Sequence, residues 1–198
     1  MTGLDSKDFR LSTDVVPEHC RFTVAPDAAT KTFRASGTLE LNLRRKVPSL
    51  VLHGVGLTIE RATLAAGGRR FELSATAHAV SQTLEFKGDS TLPSGPATLE
   101  VSYTGLLHAD LRGPYLSAGI VVTQFEAADA RRAFPCFDEP AFKCTWQLSL
   151  EVASDVVALS NGPVVSDVTE AGRRTVTFAR TPRMSSYLVA FVVGKLSS

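Results

Sequence analysis

Gln124 and Glu126 are the residues of this chain whose types and spacing best suit chemistry. A carboxamide and a carboxylate two positions apart share one side of an extended strand, while Phe125 between them points to the other. With Phe125 in the core, both polar groups face outward together. Such a pair can bind an ammonium group, the carboxylate supplying charge and acceptors and the amide oxygen a further acceptor. A charge-assisted hydrogen bond of this kind contributes roughly 1.5–3 kcal/mol where water is excluded. On spacing alone, the favoured reading is the plainer one, that Gln124 and Glu126 are solvated strand residues or form a local salt bridge with Arg131 or Arg132.

The run around them, residues 123–143, concentrates charged groups, aromatics and prolines. Asp138-Glu139-Pro140 has the chemistry of a turn, with Asp138 expected to accept from a backbone N–H two residues on. Phe134, Phe137 and Phe142 are expected to anchor the loop in apolar surface. Arg131 and Arg132 are expected to pair with Asp129, Asp138 or Glu139, in surface ion pairs that carry little energy and only position the chain.

Other chemistry finds less support. The histidines His19, His53, His78 and His108 are scattered without a partner at ligand spacing, and no H-E-x-x-H segment is present. Cys20, Cys136 and Cys144 form neither an even set nor a CxxC pair, and read as buried free thiols. No serine stands in a nucleophile elbow, and neither Cys136 nor Cys144 has an identifiable local base. No catalytic residue and no metal ligand is assigned.

The elements that must position Gln124 and Glu126 follow a period of two. In residues 38–43, Leu39, Leu41 and Leu43 fall on one side and Thr38, Glu40 and Asn42 on the other, the pattern of a strand with one buried face. Similar runs recur at residues 21–24, 50–53, 57–64, 70–73, 83–86, 97–103, 146–152, 156–160, 174–178 and 187–193. Gly67-Gly68 reads as a hairpin turn, and Pro93-Ser94-Gly95-Pro96, Asn161-Gly162-Pro163 and Ala171-Gly172 as further turns. Residues 127–133 are the one plausible helical piece, ended by Phe134-Pro135. Residues 81–88 and 107–119 read as loop-rich. Many short strands without a helix-length amphipathic stretch predict an all-β fold, an antiparallel multi-strand sandwich, in one domain over residues 1–198.

Composition narrows the partners. With 21 Lys and Arg against 20 Asp and Glu, the net charge of +1 offers no electrostatic footprint for nucleic acid or an anionic membrane. Met1 to Asp8 lack the apolar segment of a secretory signal, and the longest apolar run, residues 188–193, is too short to span a bilayer. The expected location is cytoplasmic.

The run Thr-Gln-Phe-Glu at 123–126, then Asp-Ala-Arg-Arg-Ala-Phe-Pro-Cys-Phe-Asp-Glu-Pro at 129–140, resembles the amino-terminal β-domain of the gluzincin zinc aminopeptidases, the family of aminopeptidase N and the puromycin-sensitive aminopeptidase. Residues 17–27 with 36–41 resemble the family's opening hairpin, residues 91–95 and 99–105 its middle strands, and residues 184–194 its closing strand. Departures are Cys20, where an aromatic is common, Ala127, where proline often sits, and the irregular residues 107–119.

The resemblance implies a saddle-like all-β domain in which Gln124 and Glu126 reach across a cleft toward a catalytic domain and Glu126 binds the free α-amine of a peptide. It also implies that the zinc belongs to that catalytic domain, which would follow residue 198 and which this chain lacks together with the family's Gly-Ala-Met-Glu-Asn motif. No cofactor is therefore expected here and no hydrolysis by the chain alone; its partners would be the catalytic domain of the same enzyme and the peptide N-terminus. Such a domain would expose an apolar patch around Phe134 to Phe142. The rival readings are a non-catalytic β-sandwich protein-binding module derived from the same family, and an immunoglobulin-type sandwich, which the missing Cys…Trp…Cys spacing disfavours.

Overall fold

A computed structural model describes residues 10–170 and 172–195. Met1 to Asp8 and Ala171, both read above, lie outside the described residues. Among those described there are fifteen strands and two short 3-10 helices, and the all-β expectation is met.

The strands form three sheets. The largest is ordered β13 (Val164–Glu170), β14 (Arg173–Phe178), β11 (Thr145–Val152), β1 (Val15–Asp27), β2 (Thr32–Leu43), β8 (Gly95–Leu106), β4 (Thr58–Ala66) and β5 (Arg69–Glu72). A four-stranded sheet runs β12 (Val157–Ser160), β15 (Phe191–Gly194), β10 (Ile120–Gln124), β9 (Gly113–Ser117), and a three-stranded sheet β3 (Leu50–His53), β7 (Thr83–Lys87), β6 (Ser74–His78).

Alternation decides which face is core. Leu39, Leu41 and Leu43 of β2 are buried, as their spacing predicts, alongside Phe22 and Val24 of β1, Leu99 and Val101 of β8, and Trp146, Leu148 and Leu150 of β11. Val121 and Val193 of the four-stranded sheet and Leu52, Leu84 and Phe86 of the three-stranded sheet join the same apolar cluster. The large sheet is thus one layer and the two small sheets the other, a sandwich whose driving force is this shared burial. The β4–β5 hairpin turns at Gly67 and Gly68, both at positive φ (56° and 72°), the backbone that a two-residue turn of this type requires.

Several expectations are corrected. Among the named strands of the described residues every pairing is antiparallel except β1 with β11, which run parallel from His19↔Thr145 to Val24↔Leu150. The strand read at residues 83–86 is β7, inside a zone otherwise read as loop-rich, whereas the loop-rich zone 107–119 holds the unforeseen β9; the Gly-Pro start of β9 resembles a turn, but Pro114 is tolerated because β9 is the edge of its sheet. The helical piece shrinks to a 3-10 turn at Ala130–Arg132. The closing run is a 3-10 turn at Ser186–Leu188 followed by β15. Strands β6 and β13 escape sequence reading because both lie on the surface and β13 is exposed throughout, so neither alternates. Phe134, Phe137 and Phe142 are 0%, 3% and 8% exposed: they anchor their loop, but they do not form the expected open patch. Their rings are spent inside, Phe137 on Phe142 and Phe134 on Phe22, Phe125 and Trp146.

Candidate functional site

Gln124 ends β10, in register with Gly113 of β9. Phe125 is 1% exposed and meets Phe134 edge-on at 5.7 Å, so its burial turns Gln124 and Glu126 outward on either side of it. The sidedness expected from spacing is therefore present, although Glu126 lies just beyond the strand. The Glu126 N–H donates to Gln124 Oε1 at 3.2 Å, tying the two residues together through the backbone. The Glu126 carboxylate makes no hydrogen bond or ion pair with any described residue, and the local salt bridge to Arg131 or Arg132 does not form.

The turn that carries Glu126 is closed from both sides. The Asp129 N–H donates to the Phe125 carbonyl at 2.9 Å, folding residues 125–129 into a single turn. The Asp129 carboxylate is held by a fork from Arg112 (Nε to Oδ2 3.0 Å, Nη2 to Oδ1 3.1 Å) and by Arg132 Nε on Oδ1 at 3.0 Å. Arg132 also reaches Asp110 Oδ2 at 3.2 Å. The Asp129 carboxylate raises the pKa of Arg112 above its ordinary value. Gly113 sits at φ 70°, and a Cβ there would stand 2.8 Å from the Cβ and Cδ of Arg132, so only glycine lets the two segments approach this closely.

Beneath the turn lies a buried polar knot. Asp138 Oδ2 accepts from the Arg131 backbone N–H at 3.2 Å and from Arg131 Nε at 2.9 Å, and the Asp138 carbonyl accepts from Arg131 Nη2 at 3.0 Å. Ser186 Oγ donates to Asp138 Oδ1 at 2.5 Å, and the Asp138 N–H donates to His53 Nδ1 at 3.2 Å. Tyr103 Oη donates to the Ala133 carbonyl at 2.9 Å. Asp138 is thus no turn-former bonded two residues on, and its pair with Arg131 is no surface ion pair. The tertiary fold supplies His53 and Ser186 from remote strands and loops, and no local pattern announces them.

The remaining candidates take structural places. Cys20, Cys136 and Cys144 are buried free thiols, as expected. The hydrogen bond from Cys144 (Sγ to Sγ 3.6 Å), together with burial, pushes the Cys20 thiol up, and burial does the same to Cys136, which leaves neither an activated nucleophile. His19 is held by Thr145 (2.8 Å to Oγ1), and burial, then the charge of Arg180, lowers its pKa. His78 lies 3.5 Å from Glu85. Burial, then Arg132, lowers the pKa of His108. Among the described residues, no group of three or more His, Cys, Asp or Glu is placed to hold a metal ion.

Sequence comparison agrees with this architecture. The family model of the Peptidase M1 N-terminal domain matches residues 16–188. Aminopeptidase M1-D of Oryza sativa subsp. japonica is 37% identical over 194 residues, which cover 93% of this chain and 22% of that protein. The puromycin-sensitive aminopeptidase of Caenorhabditis elegans is 34% identical over 200 residues, 94% of this chain and 21% of that protein. Aminopeptidase N of Acetobacter pasteurianus is 33% identical over 199 residues, 96% of this chain and 55% of that protein. The chain spans about a fifth of the first two and about half of the third. With its strands, its central motif and this match running over the same residues, the chain belongs to the family of Peptidase M1 N-terminal domains.

Proposed function

We propose that this chain is the substrate-clamping and scaffold domain of a zinc metalloaminopeptidase that removes N-terminal residues from peptides, and that it is not catalytic alone. Glu126 binds the free α-amine of the peptide, and Gln124 assists through the second lone pair of its amide oxygen. The observation that carries this reading is the Glu126 carboxylate itself: exposed, without a partner among the described residues, on a turn fastened at both ends. A fixed charge that the fold does not use is available to a ligand. The zinc that the family implies finds no ligand set among the described residues, so it would belong to the rest of the enzyme, and this chain contributes binding and register only.

The rest of the enzyme has a natural seat. Leu159, Val192, Val122 and Tyr115 lie in one cross-strand row of the four-stranded sheet, on the face opposite buried Val121 and Val193. Gln124, two residues past Val122, projects from that same face. Val157 and Leu159 are exposed there, so docking a catalytic domain against this row would bury them and put Gln124 and Glu126 at the seam. A cytoplasmic location belongs to the same proposal. Among the described residues, no helix is long and apolar enough to cross a membrane.

The test uses the complete enzyme. Glu126→Ala and Glu126→Gln should weaken binding of peptides with a free α-amine by about 1.5–3 kcal/mol, roughly ten- to a hundredfold. Discrimination against an N-acetylated peptide, which carries no ammonium, should shrink in parallel, and Gln124→Ala should cost less because it removes a neutral acceptor. Unchanged kinetics and unchanged discrimination in all three variants would return both residues to the solvated-strand reading. The protein-binding module is favoured instead if the reading frame carries no H-E-x-x-H segment beyond this domain.

A further inference from the structure

The turn that presents Glu126 is fastened by two consecutive residues from one neighbouring segment. Gly113 pairs with Gln124 ahead of it, and Arg112 grips Asp129 behind it. Between these fixed points Glu126, Ala127 and Ala128 are exposed, and among the described residues Glu126 is tied only through its backbone N–H to Gln124 Oε1. The backbone that carries Glu126 is therefore held from ahead by Gln124 and buried Phe125 and from behind by Asp129. Asp129 is 4% exposed, so the Arg112 fork acts on a carboxylate largely shielded from water, where a two-point guanidinium contact has directional force that a single ammonium lacks. The Arg112 side chain is itself 59% exposed and hydrogen-bonds only Asp129 among the described residues. Its removal leaves Asp129 neutralised by Arg132, which is held in turn by Asp110, so the loss of Arg112 loosens the turn without stranding a buried charge.

We propose that Arg112 is a positioning residue for amine recognition: acting through Asp129, it fixes the direction in which Glu126 meets the ammonium group of a peptide. The proposal rests on the reading of Glu126 given above. Nothing in the central run points to Arg112, which comes from the irregular residues 107–119, and the fork is visible only once β9 is folded against β10.

The experiment compares Arg112→Ala, Arg112→Lys, Glu126→Gln and the Arg112→Ala/Glu126→Gln double variant in the complete enzyme, with free-amine and N-acetylated peptides. Arg112→Ala should raise KM for free-amine peptides about three- to tenfold with a smaller change in kcat, and reduce discrimination against the acetylated peptide. Arg112→Lys should recover only part of the loss, since lysine cannot form the fork. In the Glu126→Gln background, Arg112→Ala should add nothing, because both act through one carboxylate. If Glu126→Gln impairs amine recognition while Arg112→Ala does not, or if the two losses multiply independently, Arg112 has no positioning role. If Glu126→Gln itself changes nothing, the reading of Glu126 fails and this proposal falls with it. Amide hydrogen exchange separates the cases: Arg112→Ala should speed exchange at the Asp129 N–H about tenfold or more while the amides of β2 keep their rates. Unaltered exchange at Asp129 overturns the fastening role whatever the kinetics show.

Discussion

Asp138 is 3% exposed, and every polar group it carries is engaged, by Arg131, Ser186 and His53. Glu126, earlier on the same run, stands in solvent with an unengaged carboxylate. Proximity in sequence, charge and motif do not distinguish them. What separates them is whether the fold has spent the carboxylate. A carboxylate buried in full hydrogen bonding is structure, because removing it strands the groups it satisfies; an exposed one on a fixed turn costs the fold nothing and is free for a ligand.

The contrast is broken most directly at Asp138. Asp138→Ala should destabilise the chain by about 3–5 kcal/mol, since it leaves the guanidinium of Arg131, whose side chain is 11% exposed, without its anion. Denaturant unfolding followed by tryptophan fluorescence measures it; a loss below about 1 kcal/mol would mean that Asp138 is no more structural than Glu126. Gly113→Ala should come next, at about 1–3 kcal/mol, because the added Cβ meets Arg132 and the backbone stands at positive φ. The same variant should disturb amine recognition in the complete enzyme, which Asp138→Asn, lying deeper, should do less.

Acidification gives a smaller test. The His19 pKa is lowered in the folded state by burial and by Arg180, so the unfolded chain takes up the proton first as pH falls. Its contribution to stability is intact above its ordinary pKa of 6.5 and is lost as pH falls through that value toward the folded one. His108, lowered by burial and Arg132, acts in the same direction. The thermal midpoint should drop between about pH 7.5 and about pH 5.5, and His19→Asn should flatten the slope. A slope that is unchanged in His19→Asn would remove His19 from the account. The smallest effect is expected at Glu126: Glu126→Ala should leave stability within about 0.5 kcal/mol of the parent in the same unfolding measurement. A larger loss would show that the fold relies on it after all.

Where burial follows local pattern, sequence sufficed. Leu39, Leu41 and Leu43 announce β2 by alternation, Gly67-Gly68 its kind of turn between β4 and β5, and Phe125 the outward sidedness of Gln124 and Glu126, because side-chain direction along a strand has a fixed period of two. Where an element lies wholly on the surface, as β6 and β13 do, no alternation exists to be read. Local pattern also says nothing about which strands become neighbours. The parallel pairing of β1 with β11, the convergence of His53 and Ser186 on Asp138, and the approach of Arg112 to Asp129 were decided by the tertiary structure alone, since each joins residues whose nearness is set by packing the sheets together and not by any interval along the chain.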